Sequence, residues 1–264
     1  DRMWKFYMKL EADGLLVRST GMLQRLIYLG GSGAVVAEAN NVKIPELYGD
    51  FSLNAANEIT AKRFLSEGLT RLAASYELNE VQLTSMGQSL GPLASQLEVV
   101  IHQHLPIFHT EHCVFCRFLS DGNSYKDCGH PCEQNTIHLK DQDGSDHLVL
   151  ADMGCRNTVF NAQAQSGAFY LSTLAQAGYG TFRIELVDEP ADQVGVILNA
   201  YHDLLQGRTT AGEAWEILGQ IPDANGNAQG VDAGSLRHTT DLASEDMKRT
   251  AAQGKTKWTT LVVE

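Results

Sequence analysis

No stretch of this 264-residue chain approaches the roughly 20 consecutive apolar residues that a membrane helix needs, so no membrane span is expected. Positive charge is also scarce: 20 Lys and Arg against 32 Asp and Glu leave a net charge of -12. Bulk charge therefore supplies no general attraction to nucleic acid, and contact with RNA would need a local basic patch or a partner. Ahead of Leu10 there is no basic segment followed by an apolar one, and the first residue is Asp1. The chain is thus expected to be processed, trimmed or a piece of something longer. H-E-x-x-H does not occur, which removes the usual signature of a zinc protease, and the one G-x-S-x-G match, Gly87-Gln88-Ser89-Leu90-Gly91, falls in the segment that begins at Asn79 and reads as a helix, not at the strand-to-helix turn of a serine hydrolase elbow. What remains is 43% hydrophobic and 20% charged, an ordinary globular balance with ample length for a core.

Cysteines are few but not scattered. All five lie between Cys113 and Cys155 in the order C-x2-C-x11-C-x3-C-x22-C. Seven of the nine histidines, from His102 to His147, fall in nearly the same window, with Gly122, Gly129, Pro131 and Gly144 among them. The window 102–155 therefore reads as a Cys/His-rich loop insertion. An odd count, two close pairs and no leader favour thiolate-metal chemistry in a reducing compartment, the cytoplasm or an organellar matrix or stroma, over a disulfide framework. Zinc could take Cys113, Cys116, Cys128 and Cys132, leaving Cys155 idle. An iron-sulfur cluster also takes four thiolates and tolerates irregular spacing.

Around that window the pattern alternates. Gly14 to Arg18, Glu46 to Ser52, Leu72 to Ser75, Leu97 to Ile101 and Thr181 to Val187 read as strands. Met22 to Leu29, Asn57 to Glu67, a segment beginning at Asn79, Gly167 to Gln176 and Asp192 to Leu205 read as helices. The alternation predicts parallel βα units, but about five or six strands fall short of the eight of a closed barrel. The expected fold is α/β, a partial TIM-like (β/α) barrel over residues 1–205, followed by an extended C-terminal extension over 206–264 with Trp258 and Leu261-Val262-Val263 as anchors. Polar residues just after the strands, Asn54, Asn57, Glu77, His102, His104, Glu185 and Asp188, would ring the mouth where barrel sites are built. Asn54, Asn57 and Asn79 could equally cap helices.

Glu98-Val99-Val100-Ile101-His102, followed by His112-Cys113, Cys128-Gly129-His130-Pro131-Cys132 and Met153-Gly154-Cys155, resembles the U32 peptidase (collagenase-like) family. The resemblance extends over Asp50 to Asn57 and Ser75 to Asn79 and spans roughly Asp13 to Leu236. It implies a TIM-like barrel and, despite the family name, iron-sulfur-dependent, oxygen-independent or prephenate-dependent hydroxylation of RNA bases or quinone precursors. Carried over by position, it implies a 4Fe-4S cluster on Cys113, Cys128, Cys132 and Cys155. Pro106 stands where many members have a first cysteine, and Cys116 is left spare, as a substitute ligand or a small buried residue.

On the hydroxylation reading His102, His104 and Glu77 would donate and accept protons. Arg156 and Arg183 would clamp a dicarboxylate such as prephenate, with Asn54 and Asn57 lining the substrate site. Two other classes are in play: peptidase, as the family name suggests, and a non-catalytic structural or assembly subunit. The latter follows from the open edges of an incomplete barrel, which call for a second protein subunit or the missing N-terminal half. The aromatics of Trp4-Lys5-Phe6-Tyr7-Met8 would pack on that partner or fold back on their own domain.

Overall fold

The computed structural model describes residues 3–41, 43–223, 225–237 and 260–263. In chain order its elements are α1 (Met3–Met8), β1 (Gly14–Val17), α2 (Thr20–Gly30), α3 (Ala34–Ala39), β2 (Glu46–Gly49), α4 (Glu58–Ser66), β3 (Arg71–Ala73), α5 (Glu80–Leu90) and β4 (Leu97–Gln103). There follow β5 (Pro106–Thr110), α6 (Val114–Leu119), β6 (Ile137–Lys140), β7 (Asp146–Ala151), β8 (Asn157–Phe160) and β9 (Ala164–Ser166). The last are α7 (Leu171–Gln176), β10 (Thr181–Ile184), α8 (Val194–Leu205), α9 (Ala211–Gly219), β11 (Val231–Asp232) and β12 (Thr260–Val263). The chain divides into two compact units, one from the described residues of 1–101, 169–184 and 235–238, the other from those of 102–168, 185–234 and 239–264.

In the first unit β1, β2, β3 and β4 lie side by side and parallel, with helices in the connections, and β10 pairs with β4. The helices begin where the sequence supplies caps. Asn57 Oδ1 accepts the Thr60 amide at 2.9 Å, and Asn79 and Gln82 close a reciprocal capping box. Apolar side chains from helix and strand meet in a core containing Leu26, Leu72, Leu83, Leu97 and Leu174, each at most 1% exposed. Trp4 and Met8 are buried in the same unit, with the Arg25 guanidinium 5.4 Å from the Trp4 ring centroid. Trp4 thus packs within its own unit, whereas Phe6 stays 60% exposed.

The second unit is built on an antiparallel sheet in the order β12-β6-β7-β8-β5. This corrects the loop-insertion expectation for 102–155. The alternation at Ile137, Leu139, Leu148 and Val149 is a strand signal that the glycines and cysteines of the window mask. Ile137 faces Val149, and Val149 faces Val159, giving one apolar row across three strands. Elsewhere in this unit the end of β4 pairs antiparallel with β9, His102 opposite Ser166 and Gln103 opposite Gln165, while β9 and β11 run parallel.

Among the described residues no barrel closes. The α/β character is as expected, but an antiparallel partner at the end of β4 interrupts the βα repeat that a TIM-like barrel requires. The units also do not divide at residue 205, since α8 and α9 belong to the same one. The expected tail 206–264 contains a capped helix, α9, with a Thr210–Glu213 capping box, and β12 pairs antiparallel with β6. Trp258 lies outside the described residues.

Close packing in the first unit gives a test. A Cβ on Gly87 in α5 would lie 2.7 Å from the Ala177 carbonyl oxygen, whereas one on Gly195 in α8 would meet nothing within 4 Å. Alanine stabilises an open helix position by about 1 kcal/mol over glycine. Gly195→Ala should therefore raise the denaturation midpoint, and Gly87→Ala should lower it by the equivalent of about 1–3 kcal/mol through overpacking. Urea unfolding of both variants measures this, and two shifts of the same sign would refute the packing.

Candidate functional site

The cysteines are organised by a single aromatic anchor. Phe115 on α6 is 2% exposed and packs with Ile137, Val149 and Val159 of the apolar row. That contact fixes α6, whose N-cap is Cys113, the Sγ accepting the Cys116 amide at 3.4 Å. Asn157, fully buried on β8, accepts the Val114 amide at 2.7 Å and directs its own Nδ2 toward Cys113 Sγ at 3.9 Å. Across from α6, Cys128 and Cys132 flank a turn in which His130 has φ of 54°. Cys155 also occupies the left-handed region, at φ of 59°. A non-glycine residue there costs about 1–2 kcal/mol, and such strain concentrates at functional sites.

All five cysteines line one cavity of about 470 Å³, with Tyr125, His112 and His130 among the other walls. Burial pushes the Cys116 thiol up, and the neighbouring sulfurs of Cys128 and Cys113 push it further. Burial likewise raises the Cys132 thiol, with Cys113 adding to it. The four therefore sense one another electrostatically, while Cys155 reaches the cavity from a separate loop. Among the described residues no three His, Cys, Asp or Glu side chains form a group that could hold one metal ion. What the five cysteines share is the lining of one volume. Cys116 is half-buried and its Sγ donates to the Gly122 carbonyl at 3.3 Å, so it belongs to the wall of the cavity and not to the core.

The loop that carries Cys155 is held by Asp152. Its Oδ1 accepts the amides of Gly154 at 2.7 Å and Arg156 at 3.0 Å, and its Oδ2 receives the Arg156 guanidinium at 2.7 and 2.9 Å. The hydrogen bond from Arg156 holds the Asp152 carboxyl below its usual range. Arg156 is thus committed to bracing this loop.

A second cluster lies just before β5. His102, at the end of β4, is 2% exposed, with Nε2 3.5 Å from Glu189 Oε1 and Nδ1 3.2 Å from the Tyr201 hydroxyl. Tyr201 is in turn 2.9 Å from Ser166 Oγ. His104 Nε2 is also 3.5 Å from Glu189 Oε1, and its Nδ1 lies 2.7 Å from the Asn161 carbonyl. A carbonyl only accepts, so His104 Nδ1 carries a proton, and facing a carboxylate with Nε2 calls for a second. Burial alone would lower His104, but the Glu189 carboxylate and the Asn161 carbonyl more than reverse it and the imidazole is held above its ordinary value. Burial alone would raise Glu189. The two imidazoles and the Val187 amide, 2.7 Å from Oε2, instead hold it far below the usual carboxylate range. Beside His104, Glu189 and Asp188 is a cavity of about 30 Å³, room for a water.

The structure thus brings His102 and His104 together on an acceptor the sequence did not single out. Glu189 follows β10 in Asp188-Glu189-Pro190, and only its place after a strand could have marked it. The remaining expected residues belong to the first unit. Glu77 is exposed after β3. Asn57 caps α4, and exposed Asn54 takes a left-handed conformation, φ of 57°, ending a single 3-10 turn. Arg183 binds Asp50 at 2.7 Å and Glu98 at 3.1 Å beside a cavity of about 260 Å³ that Arg71 and Tyr48 also line.

The model of the family described as peptidase family U32 matches residues 34–225, well over half of the chain and including both clusters. No curated protein and no solved structure matches significantly.

The Glu189 cluster makes stability depend on pH in a definite sense. Glu189, depressed in the folded state, contributes above its ordinary value of 4.5, and that contribution is lost as pH falls through its folded value. His104, raised when folded, contributes fully below its ordinary value of 6.5 and loses this as pH climbs through its folded value. The pair is worth most between these ordinary values. Glu189→Gln keeps an acceptor for the Val187 amide but removes the charge. It should cost about 3 kcal/mol near pH 5.5, the lower end for a broken buried pair, and clearly less near pH 8.5. Urea unfolding at the two pH values measures this, and equal losses at both would refute the ion pair.

Proposed function

The chain belongs to peptidase family U32, and from that premise we propose that it is a redox protein of the hydroxylating kind rather than a protease. On this proposal it carries a 4Fe-4S cluster on Cys113, Cys128, Cys132 and Cys155 and acts on an RNA base or a quinone precursor. The observation that carries the proposal is the gathering of five free thiols around one cavity. Soft thiolates are the donors such a cluster takes, and a body of four irons and four sulfides needs its donors spread around a volume. A single zinc ion would instead need them converged on a point. The Asn157 amide near Cys113 Sγ is the kind of contact that tunes a cluster's potential. Five unpaired thiols also suit a reducing compartment.

When bound, the cluster supplies one-electron transfer at the thiolate cavity. The chain's own residues supply the proton and the geometry. Asn161 and Glu189 orient His104 from both ring nitrogens and keep it protonated, so it is the proton donor of the cluster. Buried His102, anchored by Tyr201, shares the Glu189 carboxylate and holds it in place. Glu77 stays exposed to solvent. For a dicarboxylate, Arg183 would have to exchange Asp50 or Glu98 for the ligand, and Arg156 would have to release Asp152.

Proteolysis is the weaker alternative. A hydrolytic nucleophile must be reached by a peptide, yet Ser166, Tyr201 and His102 are at most 2% exposed. For the non-catalytic subunit alternative, Trp4 is accounted for by burial in its own unit while Phe6 stays exposed.

Anaerobic purification of the full chain tests the proposal. Iron and acid-labile sulfide should each approach about four per chain, with broad visible absorbance. Ser at Cys113, Cys128, Cys132 or Cys155 should lower iron content severely, and Cys116→Ser should leave it intact. One zinc per chain, or no bound iron under anaerobic reconstitution, would overturn it.

A further inference from the structure

Cys116 is the thiol for which a four-thiolate site has no use, and its surroundings are specific. Its Sγ donates to the Gly122 carbonyl at 3.3 Å. Gly122 in turn presses on the backbone that carries Cys128: a Cβ there would lie 2.6 Å from Cys128 Cα and 2.5 Å from the Asp127 carbonyl oxygen. Only glycine permits this approach. The loop is pinned in its folded-back form by Asp127 Oδ1, which accepts from the amides of Asn123 at 3.1 Å and Ser124 at 2.7 Å and from Ser124 Oγ at 3.0 Å. Ser120 Oγ accepts the Gly122 amide at 2.9 Å. As a result the Cys116 sulfur and the backbone that carries Cys128 meet on Gly122, although 11 residues separate the two cysteines in the chain. Both are half-buried and both line the open cavity of about 470 Å³, so a small solute can reach them.

We propose that Cys116 and Cys128 are a reversible thiol–disulfide pair that a hydroperoxide oxidises and a small dithiol reduces. In the first step the Cys128 sulfur attacks the peroxide O–O bond. An S–O bond forms, the O–O bond breaks, and the other oxygen takes up the thiol proton and leaves as water from hydrogen peroxide or as an alcohol from an alkyl hydroperoxide. In the second step the Cys116 sulfur attacks the resulting sulfenic sulfur, the S–S bond forms and water leaves. Two thiols lose two electrons and two hydrogens, and one hydroperoxide is reduced. Cys113 is a less suitable partner for Cys116, because its sulfur already faces the Cys116 amide and Asn157. The further consequence rests on the cluster proposal: with Cys128 in the disulfide, the thiolate set is incomplete and the cluster cannot assemble until the bond is reduced.

The full chain, freed of metal by chelation, is treated with stoichiometric hydrogen peroxide, alkylated and mapped by non-reducing peptide mass spectrometry. The expected result is a linked Cys116–Cys128 peptide, three alkylated thiols in place of five, and full reversal by dithiothreitol. Cys116→Ser should form no such link and, given a second equivalent of peroxide, should carry Cys128 on to sulfinic acid, which dithiothreitol does not reverse. Cys155→Ser should still form the link, which guards against misfolding of the first variant. Five free thiols after peroxide, or a link between any other two cysteines, would overturn the pair. The two proposals separate cleanly: a chain that forms the link but never binds iron refutes the cluster alone. A chain that binds iron but keeps Cys116 free refutes the pair alone.

Discussion

The packing of Phe115 against Ile137, Val149 and Val159 is the contact on which the rest of the second unit depends. It is a modest apolar row, one residue from each of three strands and one from a six-residue helix. A helix that short does not form alone in water, since nucleation is unfavourable and propagation has no length over which to repay it. Without the row there is no reason for α6 to hold Cys113 and Cys116 at the cavity wall. Asn157 extends the same logic into polar chemistry, because a buried amide joins the start of α6 to β8 and leaves its remaining donor facing a sulfur.

The His102–Glu189–His104 cluster follows a different rule. One buried carboxylate serves two imidazoles, and each imidazole is tied by its other nitrogen to a group that cannot move freely, Tyr201 or the Asn161 carbonyl. The cost of burying the Glu189 charge is offset only because both partners and the Val187 amide are present together. Glu189 and His104 are therefore coupled: each holds the other in its charged form.

Much of the first unit was legible in the sequence because its signals are local. Asn57 and Asn79 stand before helical periodicity and do cap α4 and α5, and the apolar runs at Gly14, Leu72 and Leu97 lie in β1, β3 and β4. The strands of the second unit were hidden for two physical reasons. Its strands mix His and Lys with apolar residues, so period-two alternation competes with the Gly, Cys and Pro between them, and its sheet order joins segments far apart in sequence. Glu189 was marked by nothing more than its place after a strand, because its importance comes from two histidines more than 80 residues away, a relation no local pattern encodes.

Cys155 occupies a backbone conformation that suits glycine better than cysteine. The left-handed penalty of about 1–2 kcal/mol outweighs the extra freedom of about 0.5–1 kcal/mol that an unfolded glycine would have to surrender. Fold stability and thiol chemistry therefore pull this position in opposite directions. A library screened only for resistance to heat or protease would enrich glycine at 155 and discard the sulfur, returning sturdier molecules whose cavity is one thiol short. Stability screens on this chain will mislead about its chemistry at the loop that Asp152 and Arg156 work to hold.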